Sequence, residues 1–147
     1  MKMMVKKDII INAPIKKVWH VFSDLEKWQG WSSNIAKASW ITSDKWDLNS
    51  SFRQILTGVL PFKNVESNAR VIEIEDYRKV TWTGMRKTIR GIHTFRFEKI
   101  GNKTKVENIE EFKGPLAPIM FPLLKHRFEA FFVRFLKEMK EEVEGLE

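Results

Sequence analysis

The feature that most narrows what this chain can fold into is a change of hydrophobic period at Gly114-Pro115. Upstream of it, from about residue 35, one β-segment follows another, with strands expected at 35–42, 50–58, 64–76, 78–86, 88–100 and 103–113. The breaks between them are short: Gly58, the Asp76-Tyr77 corner, Arg86-Lys87 and Gly101-Asn102. Such short turns join antiparallel neighbours, because parallel strands need a long crossover between them. Downstream, Leu124, Phe128, Phe131, Phe132, Phe135, Leu136, Met139 and Val143 recur at helical spacing and make one wide apolar stripe ending near Gly145. Pro118 and Pro122 punctuate its start, and a proline disfavours helical geometry in the residue before it, so a loose or kinked first turn is expected there. An antiparallel meander followed by one amphipathic helix buries the helix stripe against the sheet.

Ahead of the meander, Val5 to Asn12 reads as a β-branched strand ended by Asn12-Ala13-Pro14. Pro14 suits the first turn of a helix and Asn12 its cap, and Ile15, Val18, Trp19 and Phe22 follow at helical spacing. Ser23 or Asp24 can cap a second short helix, Asp24 to Trp28, which Gly30 stops. The expected order is therefore strand, two short helices, six strands and a long helix, in a single domain over residues 1–147.

Composition removes several kinds of function. The absence of cysteine excludes disulfides, thiolate metal sites, iron–sulfur ligation and a cysteine nucleophile. His20, His93 and His126 are far apart and lack metal-site spacing, so no metal or cofactor is expected. Asp8, Asn12 and Pro14 interrupt the stretch where a signal peptide would need an apolar run, and no run anywhere is long enough to span a bilayer. A cytoplasmic protein without membrane insertion is expected. The net charge of +7 raises the question of nucleic acid. Residues 123–147 carry five Lys/Arg against six Glu, so the excess lies upstream, scattered as singles and pairs such as Lys16-Lys17 and Arg86-Lys87. With no dense stripe or recognition motif, no specific nucleic-acid partner is expected. Eleven Phe and six Trp against a single Tyr point to broad apolar surfaces that need little hydrogen bonding.

Alternation assigns the strand faces. On 88–100, Ile89, Gly91, His93, Phe95 and Phe97 point inward; on 103–113, Val106, Asn108, Glu110 and Phe112 do. A two-residue Gly101-Asn102 loop sets Ile100 opposite Lys103, and counting back places Phe97 opposite Val106, Phe95 opposite Asn108 and His93 opposite Glu110. His93 and Glu110 are therefore expected to be a hydrogen-bonded cross-strand pair. Polar groups among phenylalanines either orient a ligand or form an internal network that fixes register. Trp82 and Gly84 share a face, either as a core indole beside a glycine that permits curvature or as ligand contacts. Phe128, Phe131, Phe132 and Phe135 are core residues of which one or two can line a cavity. Trp28, Trp31, Trp40 and Trp46 are placed around the mouth, as packing anchors or as a gate, and His20 and His126 are expected to face solvent.

Two stretches carry a family resemblance. One is Ile11-Asn12-Ala13-Pro14 with Val18-Trp19, Phe22-Ser23-Asp24, Trp28 and Trp31-Ser32. The other is Trp82-x-Gly84, His93-x-Phe95-x-Phe97-Glu98, Thr104-x-Val106 and Glu110-x-Phe112-x-Gly114-Pro115-Leu116. Together they resemble the SRPBCC or START-like superfamily, in particular its polyketide cyclase/dehydrase and lipid transport branch. The resemblance implies an α+β helix-grip fold: a curved seven-stranded antiparallel sheet wrapped around a long C-terminal helix, with two short helices between strands 1 and 2. A strongly bent sheet cannot lie flush on a straight helix, so a gap opens between them, and in this superfamily that gap holds a ligand. The chain lacks the iron-binding histidines and carboxylate of the oxygenase members, and the lone Cys or Tyr that acts in the cavity of others.

The function implied first is binding or carrying a small hydrophobic or amphipathic molecule, such as a lipid, polyketide or isoprenoid-like compound, by a monomer or weak homodimer. The expected lining is Trp82, Gly84, Ile89, Gly91, His93, Phe95, Asn108, Glu110, Phe112, Phe128, Phe131, Phe132 and Phe135. The alternative is a cyclase or dehydratase without metal or cofactor, with His93 as acid–base and Glu110 as its orienter. A third reading is a protein-interaction module presenting the Trp-rich mouth.

Overall fold

A computed structural model describes residues 2–84 and 89–145. The expected Arg86-Lys87 turn, with the strand ends at 85–86 and 88, lies outside the described residues. The elements are β1 (Met4–Ile11), α1 (Ile15–Ser23), a 3-10 turn (Leu25–Lys27), α2 (Trp28–Trp31), β2 (Ile35–Trp40), β3 (Ser51–Leu60), β4 (Lys63–Glu75), β5 (Lys79–Gly84), β6 (Arg90–Ile100), β7 (Lys103–Lys113) and α3 (Ala117–Gly145). The seven strands form one curled antiparallel sheet in the order β1-β7-β6-β5-β4-β3-β2, which is the expected helix-grip arrangement. No helix among the described residues is long and apolar enough to cross a membrane.

The turn chemistry behaves largely as expected. Gly101 takes φ +60° and sets Ile100 opposite Lys103. Gly58 does not break its strand: β3 continues through it to Leu60, and the glycine, at φ +89°, sits where the β3–β4 register slips between Leu56 and Leu60. A residue without a Cβ relieves such a bulge, and the bulge bends the strand instead of ending it. Further slips in β4 between Val71 and Glu73, and in β2 between Ile35 and Lys37, add to the sheet's irregularity.

Three local expectations are corrected. Asn12 does not cap α1; its N–H is taken by the Glu144 carboxylate of α3 at 2.8 Å. Pro14 is itself the cap residue, and its carbonyl accepts from the N–H groups of Lys17 and Val18. The second short helix begins as the 3-10 turn and becomes α2, which includes Gly30 and closes with the Ser32 N–H on the Trp28 carbonyl at 2.8 Å. Finally, α3 is continuous from Ala117 through both prolines. Pro118 falls in the first turn, where its missing N–H costs nothing. Pro122 forgoes a single bond one turn in, and burial of Ala117 and of Phe121, whose ring lies 5.4 Å from Phe112, holds the turn in place.

The core has an aromatic end. Phe22, at the last turn of α1, touches Trp28, Trp46, Phe95 and Phe97 with ring centroids 4.8–5.4 Å apart. Phe52 and Trp82 close round the same group, and Trp28 and Trp31 reach α3 at Phe135. Two indoles also cap α1: Trp28 Nε1–H donates to the Phe22 carbonyl and Trp46 Nε1–H to the Ser23 carbonyl, each at 2.7 Å. These are carbonyls that a helix end leaves without an intrahelical partner. Trp28 is thus fully buried, and Trp31, Trp40 and Trp46 are half-buried packing residues against the core rather than a rim around the cavity, which none of them lines.

Trp28→Phe keeps most of the buried ring but strands the Phe22 carbonyl. It is expected to cost about 1–3 kcal/mol, read as a lower denaturation midpoint at unchanged slope; an unchanged midpoint would show that the indole cap contributes nothing.

Candidate functional site

Beyond the aromatic end, sheet and helix part to leave a cavity of about 630 Å³. Its floor is the concave face of β3 to β7 and its roof is the first half of α3. Of the residues expected to line it, Trp82, Gly84, Ile89, Gly91, His93, Glu110, Phe112, Phe128, Phe131 and Phe132 do so. Phe95, Asn108 and Phe135 do not; they lie behind the cavity, fully buried beside Trp28 and Trp82. The lining outside that expectation is Gln54, Leu56, Val59, Leu60, Val65, Glu66, Ser67 and Asn68 on β3 and β4, where no face was assigned, with Met120 and Leu124 on α3. The Gly58 bulge hides part of it, since strict alternation cannot bring Val59 and Leu60 to the same cavity. Leu124 was legible in the helix stripe; Met120, one turn earlier, was obscured by the expectation of a broken helix.

The cavity's polar end is built on β6 and β7. His93 and Glu110 are direct partners in the register, as counted from the Gly101-Asn102 loop. They are not hydrogen-bonded to one another: His93 Nδ1 and Glu110 Oε1 stand 3.9 Å apart. The imidazole instead bonds through Nε2 to Asn108 Oδ1. A carboxamide oxygen only accepts, so Nε2 carries the proton and Nδ1 is left with its lone pair. The ring is clamped by Trp82, Phe95 and Phe132, with centroids at 4.7, 5.0 and 5.2 Å. Burial among these rings pushes the His93 imidazole down to about 4, the Asn108 bond working against the shift.

Glu110 is shaped by Gly91. A Cβ on that glycine would stand 2.1 Å from Glu110 Oε2, so only glycine lets the carboxyl lie over the β6 backbone. Burial pushes the Glu110 carboxyl up to about 8. Near neutrality, then, both groups are uncharged; Asn108 holds the imidazole, and the Glu110 carboxyl lies over Gly91, 3.9 Å from Nδ1. His20 and His126 face solvent, the latter beside Glu129 at 3.2 Å.

A curled sheet gripping a helix over a cavity defines the helix-grip class. The sequence profile for "Polyketide cyclase / dehydrase and lipid transport" matches residues 3–144, and the chain belongs to that family. Among solved structures it is similar to the Zhui aromatase/cyclase from Streptomyces sp. R1128, with a TM-score of 0.82, 13% identity and coverage of 98% of this chain and 94% of that one. A START superfamily protein from Mycobacterium smegmatis matches with a TM-score of 0.81, 15% identity and coverage of 98% and 99%. A protein from Thermus thermophilus gives 0.80, 17% identity and 97% coverage of each chain. At these identities the likeness is one of fold. A search of the curated proteins finds no match to the sequence.

The two shifted groups act oppositely on stability. Glu110, raised from 4.5, contributes fully below 4.5 and loses that contribution as pH climbs through about 8. His93, lowered from 6.5, contributes fully above 6.5 and loses it as pH falls towards about 4. The terms offset one another between 4.5 and 6.5, and from 6.5 to 8 only Glu110 acts. Denaturation midpoints should therefore show the wild type losing up to about 2 kcal/mol relative to Glu110→Gln across that upper window. Parallel curves would mean that the carboxyl is solvated as in water.

Proposed function

We propose that this protein binds or carries one small hydrophobic or amphipathic molecule in the cavity between sheet and helix. The observation that carries the reading is the cavity itself. Its volume of about 630 Å³ falls within the range of small-molecule sites, and its aliphatic and aromatic walls carry polar groups at two places, His93 with Glu110 on β6 and β7, and Gln54, Glu66, Ser67 and Asn68 on β3 and β4. That is the layout of a site that gains affinity from burying an apolar body and orientation from a few polar atoms. Membership of a family described by polyketide cyclisation, dehydration and lipid transport supports the same class of ligand.

A second reading, cyclase or dehydratase chemistry, is favoured by one observation: His93 Nδ1 and the Glu110 carboxyl both face the cavity from neighbouring strands. A lone pair and an acidic proton at one spot are what proton transfer on a bound carbonyl or alcohol requires. In that case His93→Gln abolishes turnover while leaving ligand binding in place, whereas a carrier has no turnover to lose.

The uncharged dye Nile red should bind saturably at one site per chain. Leu124→Trp, which fills the roof of the cavity, should weaken that binding at least about ten-fold, as expected when an apolar site is blocked. Absence of saturable binding, or equal affinity in the filled variant, would contradict the reading.

A further inference from the structure

Resting on the ligand-binding reading, we infer that the cavity selects an uncharged apolar molecule ending in a hydroxyl, an alcohol or phenol, whose oxygen lies between the Glu110 carboxyl and His93 Nδ1. The geometry calls for one small group that both donates and accepts, as a hydroxyl does. Glu110 Oε1 and His93 Nδ1 are 3.9 Å apart, too far to bond each other but close enough for one oxygen to reach both at about 2.7 Å. The two sides make opposite demands. His93 spends its N–H on Asn108, so Nδ1 can only accept. A protonated Glu110 carboxyl offers a donor. A hydroxyl oxygen both donates and accepts, and so answers both. An ether or ketone leaves Nδ1 unpaired inside an apolar wall, and leaving a buried acceptor unsatisfied is costly.

The surroundings keep charge out. The roof facing this end consists of Met120, Leu124, Phe128, Phe131 and Phe132, none of which titrates. Lys7 of β1 lies opposite Asn108 in the sheet, but its ammonium is held by Glu129 of α3 at 3.4 Å. Glu66 of β4 lines the cavity and pairs with Arg53 at 2.8 Å. Among the described residues, the basic side chain within 4.0 Å of the Glu110 carboxyl is His93. Gly91 completes the arrangement, because any side chain there would displace the carboxyl from the place it needs. The raised pKa of Glu110, about 8, keeps the donor in place at neutral pH.

The test is displacement of Nile red by ligands of matched length: decan-1-ol, 1-methoxynonane, decanoate and decylammonium. At pH 6 the alcohol should displace the dye at roughly five-fold lower concentration than the ether, the worth of about one buried hydrogen bond, and both ions should be weaker still. In the wild type the alcohol's advantage should widen between pH 7 and 9, because the carboxylate formed there accepts the alcohol's O–H and offers the ether no donor. Glu110→Gln, whose amide still donates, should keep the advantage and lose its pH dependence. His93→Leu, which removes the Nδ1 acceptor and is shown to be folded by a cooperative denaturation transition, should lose the advantage. Failure of the wild type to bind Nile red would remove the ligand-binding reading and this one with it. Normal dye binding with equal displacement by alcohol and ether, or stronger displacement by decanoate or decylammonium, would overturn the hydroxyl inference alone.

Discussion

The rest of the structure depends on how α1 ends. Its final carbonyls, on Phe22 and Ser23, are taken by the indole N–H groups of Trp28 and Trp46, two large rings that then have no choice but to pack on Phe22. One set of bonds thus satisfies a helix terminus and also assembles an aromatic plug against Phe52, Trp82 and Phe95. The plug fills one end of the concave sheet and props α3 at Phe135. Beyond it sheet and α3 part, and the aliphatic, aromatic and polar side chains that face one another there do not fill the space. The cavity is therefore a consequence of where the large rings were spent.

Two of the rings' neighbours are polar, and their chemistry follows from the same packing. An imidazole pressed between Trp82, Phe95 and Phe132 loses its hydration, and a single bond to Asn108 does not restore the charged form. A carboxyl lying over Gly91 on the cavity floor is desolvated in the same way. Neutrality of both makes the site a place for hydrogen bonding, not for ion pairing. Asn108 is the residue on which this turns: it fixes the tautomer of His93, and so decides which ring nitrogen faces the cavity.

Much of this was legible in the residues before any coordinates. The Gly101-Asn102 loop and strict alternation placed His93 opposite Glu110 and turned both inward, because a two-residue hairpin leaves the register no freedom. The helix stripe placed Phe128, Phe131 and Phe132 towards the sheet. What escaped were features that alternation and local propensity do not encode. Gly58 reads as a stop, and only the partner strand shows it to be a bulge that delivers Val59 and Leu60 to the cavity. Pro118 and Pro122 read as helix breakers, yet burial of Ala117 and Phe121 outweighs one missing bond and brings Met120 into the roof. Asn12 looked like a cap because local sequence cannot reveal that Glu144, far along the chain, takes its N–H. The partner of His93 differs from the expected one for a related reason: register names the neighbour directly across, whereas the side chain reaches diagonally to Asn108.

The central claim is that the space between the aromatic end and the first half of α3 is a ligand site. Native mass spectrometry of freshly purified protein, followed by organic extraction, tests it most directly. The account predicts a population carrying one extra mass per chain, released by organic solvent as an uncharged apolar molecule and lost in Leu124→Trp. A protein that flies only at its bare mass, and stays so after incubation with an excess of apolar alcohols, would contradict it.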